Sequence, residues 1–198
     1  MTPAERRFEA LATACGPRVL AYLARRTTPR EDAADVYQEV LTIVWRKVHR
    51  APDDDADALP WMLAIARRTL ANHRRATGRR LAATDRLRAE LLATGPAGGP
   101  TAIGSAGHGD DRVDDVRTAL AGLVEDDREV LLLTYWDGLT SEQVSVVVGA
   151  GAAATRKRIQ RARERLAGAL GAGGAIPAGR AAAPRVGSDV RAAATPRG

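Results

Sequence analysis

Residues 140–170, TSEQVSVVVGAGAAATRKRIQRARERLAGAL, decide the fold. Thr140 is a good N-cap, and Gln143 three residues later completes a capping box. A short apolar helix follows, with Val144, Val147 and Val148 available to pack. Gly149-Ala150-Gly151 then interrupts it, as a tight turn between helices would. In the second helix Ile159, Ala162, Leu166 and Leu170 recur at the spacing of one helical face. Lys157, Arg158, Arg161 and Arg165 fall on the opposite face, with Ala153 and Ala154 near the helix start. One face is built to pack and the other to meet phosphate. The order of cap, turn and basic helix is that of a helix-turn-helix, whose second helix enters the major groove by its N-terminal part. A basic amphipathic helix can also be merely solvated, but that reading leaves the cap and the turn unexplained.

Composition supports a helical chain with a polyanionic partner. Only 4% of the 198 residues are aromatic and 27% are charged, so each core must be made of Leu, Val, Ile and Ala. That suits small helical bundles better than a sheet. The net charge is +6 and the isoelectric point about 10.3, which favours nucleic acid or an anionic membrane surface. No apolar run approaches a membrane span and no signal peptide opens the chain, so the expectation is a soluble, cytoplasmic protein. Cys15 stands alone, which excludes an internal disulfide and favours a buried small hydrophobe. His49, His73 and His108 show no metal-ligand spacing, and no cofactor is called for.

Along residues 5–26, Phe8, Leu11, Cys15, Val19 and Tyr22 keep a helical spacing, and Gly16-Pro17 predicts a kink or a break into two helices. Thr28, Pro29 and Glu31 predict a capped helix running to about His49. Ala33, Val36, Val40, Ile43 and Val44 form its apolar face. Asp35, Gln38, Glu39, Thr42 and Arg46 form the other, with Trp45 at the edge. An indole beside exposed carboxylates is what a protein interface would use.

The run Asp32-Ala33-Ala34-Asp35-Val36-Tyr37-Gln38-Glu39, followed by Trp45-Arg46, resembles the core-binding helix of bacterial sigma-70 factors, most of all the extracytoplasmic-function (ECF) group. The resemblance implies that Asp32, Asp35, Gln38, Glu39, Trp45 and Arg46 bind the core polymerase. It also implies an all-α fold of two small helical domains. These are a region 2 bundle over residues 1–82 and a region 4 helix-turn-helix over 113–170. A flexible linker over 83–112 would join them, and a disordered tail over 171–198 would follow.

Residues 51–59 form a loop containing Pro52, Asp53, Asp54, Asp55 and Asp57. A metal site would need further ligands, and Asp57 or a neighbour capping the next helix accounts for the acids. That third helix is expected to start near Pro60-Trp61. Trp61, Met62, Ile65, Ala66 and Thr69 face inward. Arg67, Arg74 and Arg75 face outward, with Arg68 on the flank. Six arginines and no acid lie between Arg67 and Arg80. The stretch looks like the family's helix over the minus-ten element, with Trp61, Ile65, Ala66 and Arg67 matching. The resemblance implies contact by Trp61, Arg67, Arg68, Asn72, Arg74 and Arg75. Met62, Arg68, Asn72 and Arg74 depart from the usual residues and bear on which promoter is read.

Residues 95–109, rich in Gly and Pro, read as the linker. Asp110 to Asp115 would cap a helix containing Val113, Val116, Leu120 and Leu123. Asp126 and Glu129 would make a third capping box before Val130-Leu131-Leu132-Leu133. Asp137-Gly138 ends that helix. Arg128 to Leu133, Gly138-Leu139-Thr140 and Arg161-Ala162-Arg163 are similar to the domain reading the minus-thirty-five element. By resemblance the contacts there are Ala153, Ala154, Arg156, Lys157, Arg158 and Arg161. Gly151 replaces the usual N-cap serine. Residues 171–198, made mostly of Ala, Gly, Pro and Arg, cannot bury a core.

The expected function is a sigma factor that lends promoter specificity to RNA polymerase and is not itself an enzyme. Core polymerase and promoter DNA are the partners implied, and an anti-sigma factor is a candidate third. The alternative is a free-standing helix-turn-helix regulator, against which the Asp32–Arg46 helix argues. A metal hydrolase built on the Asp53 cluster lacks a base, a nucleophile pair and a phosphate loop.

Overall fold

The computed structural model describes residues 1–92 and 111–171, and among them there are helices and turns but no strand. The N-terminal unit contains α1 (Pro3–Ala24), α2 (Asp32–Arg46), a 3-10 turn at Val48–Arg50 and α3 (Asp55–Leu92). The C-terminal unit contains α4 (Asp111–Ala121), α5 (Glu125–Leu131), a π turn at Leu132–Trp136, α6 (Ser141–Val148) and α7 (Ala152–Ala169). The expected linker lies between them. Its residues 93–110 fall outside the described residues, as do residues 172–198 of the expected tail. Residues 83–92 continue α3.

The first core is a three-helix packing. Leu11, Val19 and Leu23 of α1 meet Val36, Val40 and Val44 of α2 and Met62, Leu63, Ala66 and Leu70 of α3, all buried. A fully buried aliphatic side chain contributes roughly 1.5–3 kcal/mol, so these positions carry the unit. Trp45 sits at the rim with its ring edge against Phe8, 5.4 Å between centroids.

Gly16-Pro17 does not break α1, which runs continuously through Pro17. Gly16 is buried beneath the Tyr37 hydroxyl of α2, where a Cβ would collide. The glycine therefore serves helix packing, and Pro17 lies on the exposed side. A capping box between Thr2 and Glu5 fixes the helix start.

Four further expectations are corrected. The Thr28 box does not form, because the chain turns at residues 28–31 and α2 starts at Asp32 with Glu31 at its cap. The first amides, of Ala33 and Ala34, donate instead to the Arg30 and Glu31 carbonyls. The helix also ends at Arg46, three residues before His49, and a 3-10 turn follows. The third helix starts at Asp55, with Pro60 inside it. The Asp54 carboxylate accepts from the Ala56 amide at 2.8 Å, which makes it the capping neighbour of Asp57. The Asp126–Glu129 box is also absent. Val124 stands at the α5 cap, and Glu129 turns away to other partners.

In the second unit Val130, Leu131, Leu133, Leu139, Val144, Val147, Ala162 and Leu166 are buried. The helix-turn-helix takes the form read from the sequence. Thr140 Oγ1 accepts from the Gln143 amide at 3.2 Å, and Gln143 Oε1 accepts from the Thr140 amide at 3.0 Å. Gly149 ends α6 with φ of 71°, a left-handed conformation that glycine adopts without a steric penalty. Gly151 caps α7 with no side-chain bond.

The two units pack on each other. Helix α6 lies against α3, and the Gln143 side-chain Nε2 donates to the Ala56 carbonyl at 3.0 Å.

Candidate functional site

Helix α2 presents the acidic face. Its apolar residues are drawn into the core, which leaves Asp35, Gln38, Glu39, Trp45 and Arg46 exposed along the other side. Thr42, also exposed, bonds back to the Gln38 carbonyl at 3.0 Å. Asp32 is half-buried, 3.5 Å from Nε2 of His73 on α3. The face is a row of polar groups on a rigid helix, with one indole beside it.

Helix α3 carries the first basic surface. Trp61 is half-buried and packs at the core margin, while Arg68 and Arg75 are exposed. Exposed Asn72 accepts from Arg75 at 2.5 Å. Arg74 is exposed as expected and Arg67 is half-buried, and each also meets a carboxylate. Arg67 lies 3.5 Å from Asp126, and Arg74 lies 2.6 Å from Glu125, both at the start of α5. Arg74 also donates to the Arg26 carbonyl at 2.6 Å.

Helix α7 carries the second basic surface. Ala153, Ala154, Arg156, Lys157 and Arg161 are exposed near its start and along its outer side. Arg156 pairs with Glu142 at 3.0 Å. Arg158 and Arg165, expected on the same outer face, lean toward α5. Arg158 reaches Asp126 at 3.0 Å, and Arg165 bonds to buried Asp127. These two flank the apolar stripe closely enough for a long guanidinium to reach its neighbouring helix.

Sequence reasoning missed the junction between the units. Tyr22 Oη donates to Glu129 at 2.8 Å, and Arg26 Nε donates to the same carboxylate at 2.7 Å. The Arg26 guanidinium lies over the Tyr22 ring, 3.9 Å from its centroid. Arg25 pairs with Asp137 and lies 5.8 Å from the Trp136 ring centre. Arg26 Nη2 stands 3.7 Å from Asp137, too far for a hydrogen bond. Burial pushes the Tyr22 hydroxyl well above its ordinary range, and the Glu129 charge pushes it further. Tyr22 is therefore a neutral donor. Burial likewise raises Asp137, more than Arg25 and Arg26 lower it. The available signal was the Arg25-Arg26 pair directly after α1, with no acid in the preceding fifteen residues. Around this junction a cleft of ≈ 530 Å³ is lined by Arg25, Arg26, Arg67, Arg74, Arg75 and Arg128.

Among the described residues no group of His, Cys, Asp and Glu could hold a metal ion. No described helix is long and apolar enough to cross a membrane. The arrangement offers positive charge on two helices and one acidic helical face.

Comparison with known proteins adds the following. The family description "Sigma-70 region 2" matches residues 11–80, and "Sigma-70, region 4" matches residues 114–166. A probable RNA polymerase sigma factor, RfaY of Xanthomonas campestris pv. campestris, is 32% identical over 160 residues, covering 77% of this chain and 38% of that protein. The ECF RNA polymerase sigma factor SigC of Mycobacterium tuberculosis is 34% identical over 111 residues, covering 56% of each. The chain thus spans 38% and 56% of the length of these two curated relatives. Among solved structures, the sigma factor RpoE of Bartonella quintana, in complex with the anti-sigma factor NepR, superposes with a TM-score of 0.59. It is 24% identical, with 82% of this chain and 96% of that one covered, and the likeness shows a shared fold.

Proposed function

Because the chain belongs to the sigma-70 family, in its extracytoplasmic-function group, we propose that it binds core RNA polymerase and directs it to promoters. The observation that carries this reading is the exposed Asp35–Gln38–Glu39 face on α2, held rigid by a fully buried Val36–Val40–Val44 stripe. A free-standing regulator has no use for such a handle. Asp32, Trp45 and Arg46 extend the same docking surface.

Promoter DNA is met by two surfaces. Trp61, Arg67, Arg68, Asn72, Arg74 and Arg75 of α3 meet the minus-ten element and help to open it. Ala153, Ala154, Arg156, Lys157, Arg158 and Arg161 of α7 meet the minus-thirty-five element. Arginine and lysine supply phosphate affinity, and the alanines allow close approach to thymine methyl groups. The chain performs no catalysis, because the polymerase makes the RNA. It works in the cytoplasm, and an anti-sigma factor is a candidate regulator. Residues 1–82 act as the polymerase and minus-ten unit and 113–170 as the minus-thirty-five unit. Residues 83–112 join them, and 171–198 form a tail.

Run-off transcription with purified core polymerase on genomic fragments tests this reading. Discrete transcripts that depend on the added chain are expected. A footprint from the chain alone, unchanged by polymerase, would favour the free-standing regulator.

A further inference from the structure

The cleft between α1, α3 and α5 carries more positive charge than its own carboxylates answer. Six arginines line its ≈ 530 Å³, against Glu125, Asp126 and Glu129. Those three acids are already engaged, Glu125 by Arg74, Asp126 by Arg67, and Glu129 by Tyr22 and Arg26. Arg75 of α3 bonds to the neutral side chain of Asn72, and Arg128 of α5 is half-buried. Neither meets a carboxylate among the described residues. Deeper in, the Arg26 side chain is only 6% exposed, and its Nη2 is buried without a hydrogen-bond acceptor, as is Nε of Arg25. Buried donors left without acceptors are costly, so a site that keeps two of them calls for an anion. The Arg26 guanidinium is fixed in place by Glu129 and by the Tyr22 ring beneath it.

We propose that this cleft binds a small polyphosphate anion, held by Arg25 and Arg26 from the turn after α1, Arg75 from α3 and Arg128 from α5. Guanidinium forks match phosphate oxygens in geometry as well as charge. The donors stand on separate helices, so a chain of two or three phosphates matches them better than a single phosphate does. The volume also falls in the range of sites for whole small ligands, roughly 300–1,000 Å³. Leu70, Ala71 and Leu132 supply an apolar part of the lining, suited to a nucleoside base. The site stands apart from the sigma-factor reading, since Arg25, Arg26 and Arg128 belong to neither DNA surface.

Isothermal titration calorimetry on the full chain tests the site at about 0.15 M salt, with magnesium-free tripolyphosphate and ATP as probes. Tripolyphosphate should bind at one site and raise the melting temperature as its concentration rises. Arg128→Ala and Arg75→Ala should each weaken binding about tenfold, by loss of a charged donor. Arg50→Ala removes the same charge from an exposed position outside the cleft and should leave binding within about twofold. Arg75 is exposed, so its replacement keeps the readout intact should Arg128→Ala unfold the chain. Tighter binding of ATP than of tripolyphosphate assigns a nucleotide to the site, and equal or weaker binding assigns the phosphate chain alone. Absence of both heat and thermal shift, or an equal loss in all three variants, overturns the site.

Discussion

The Tyr22 hydroxyl donates to the Glu129 carboxylate at 2.8 Å, joining α1 to α5 across 107 residues of sequence. Arg26 shares that carboxylate from above the Tyr22 ring. Tyr22→Phe removes one hydrogen bond to a charged acceptor and should cost about 1.5–3 kcal/mol. Urea denaturation should show a lower midpoint. An unchanged midpoint would mean that the junction contributes nothing to the folded state.

Asp137 gives the junction a pH signature. Burial raises its carboxyl more than its arginine partners lower it, so the folded chain binds that proton more tightly than the unfolded chain does. In the window between the two midpoints, just above the ordinary aspartate range of about 3.9, this group's contribution to stability falls as pH rises. Carbon-detected NMR titration of Asp137 should give a midpoint above the ordinary aspartate value of about 3.9. A midpoint equal to or below it would contradict the burial.

Gly16 and Tyr37 should be coupled. A Cβ on Gly16 would collide with the Tyr37 hydroxyl, while the ring carbon behind it stands at 3.6 Å, an ordinary contact. Gly16→Ala should therefore destabilise the chain by about 1–3 kcal/mol. In a Tyr37→Phe background the same change should be neutral or stabilising, since alanine is the better helix former by roughly 1 kcal/mol. A double-mutant cycle measures this, and additive effects would refute the close packing.

Local signals were legible in the sequence where a residue answers only to its own helix. The Thr140–Gln143 box and the Gly149 turn have every partner within a few residues, so both could be read. So could the apolar stripes of α2 and α7. Two of the failures share one cause, which is a partner far along the chain. Gly16 looked like a helix break because Tyr37, its reason for being glycine, lies on another helix. Glu129 looked like a capping residue because its true partners are Tyr22 and Arg26. Periodicity places Arg67, Arg74, Arg158 and Arg165 on outer faces, where Arg74 and Arg165 are exposed, but it names none of their partners. Long guanidinium arms then reached carboxylates that no spacing rule could locate.

The outer side of α7 should grip DNA through charge. Lys157 and Arg161 are exposed and pair with no carboxylate among the described residues. Lys157→Ala/Arg161→Ala should weaken duplex binding about equally for all sequences. It should also flatten the salt slope by roughly two. Unaltered affinity and slope would remove that helix face from the interface.

The central claim is that the exposed side of α2 docks on RNA polymerase, and capture of purified core polymerase by the immobilised full chain tests it most directly. The unaltered chain should retain polymerase. Asp35→Lys/Glu39→Lys, which changes two exposed residues and leaves the buried valine stripe intact, should lose it while melting at the same temperature. Equal retention by both chains, or none by the unaltered chain, would contradict the account.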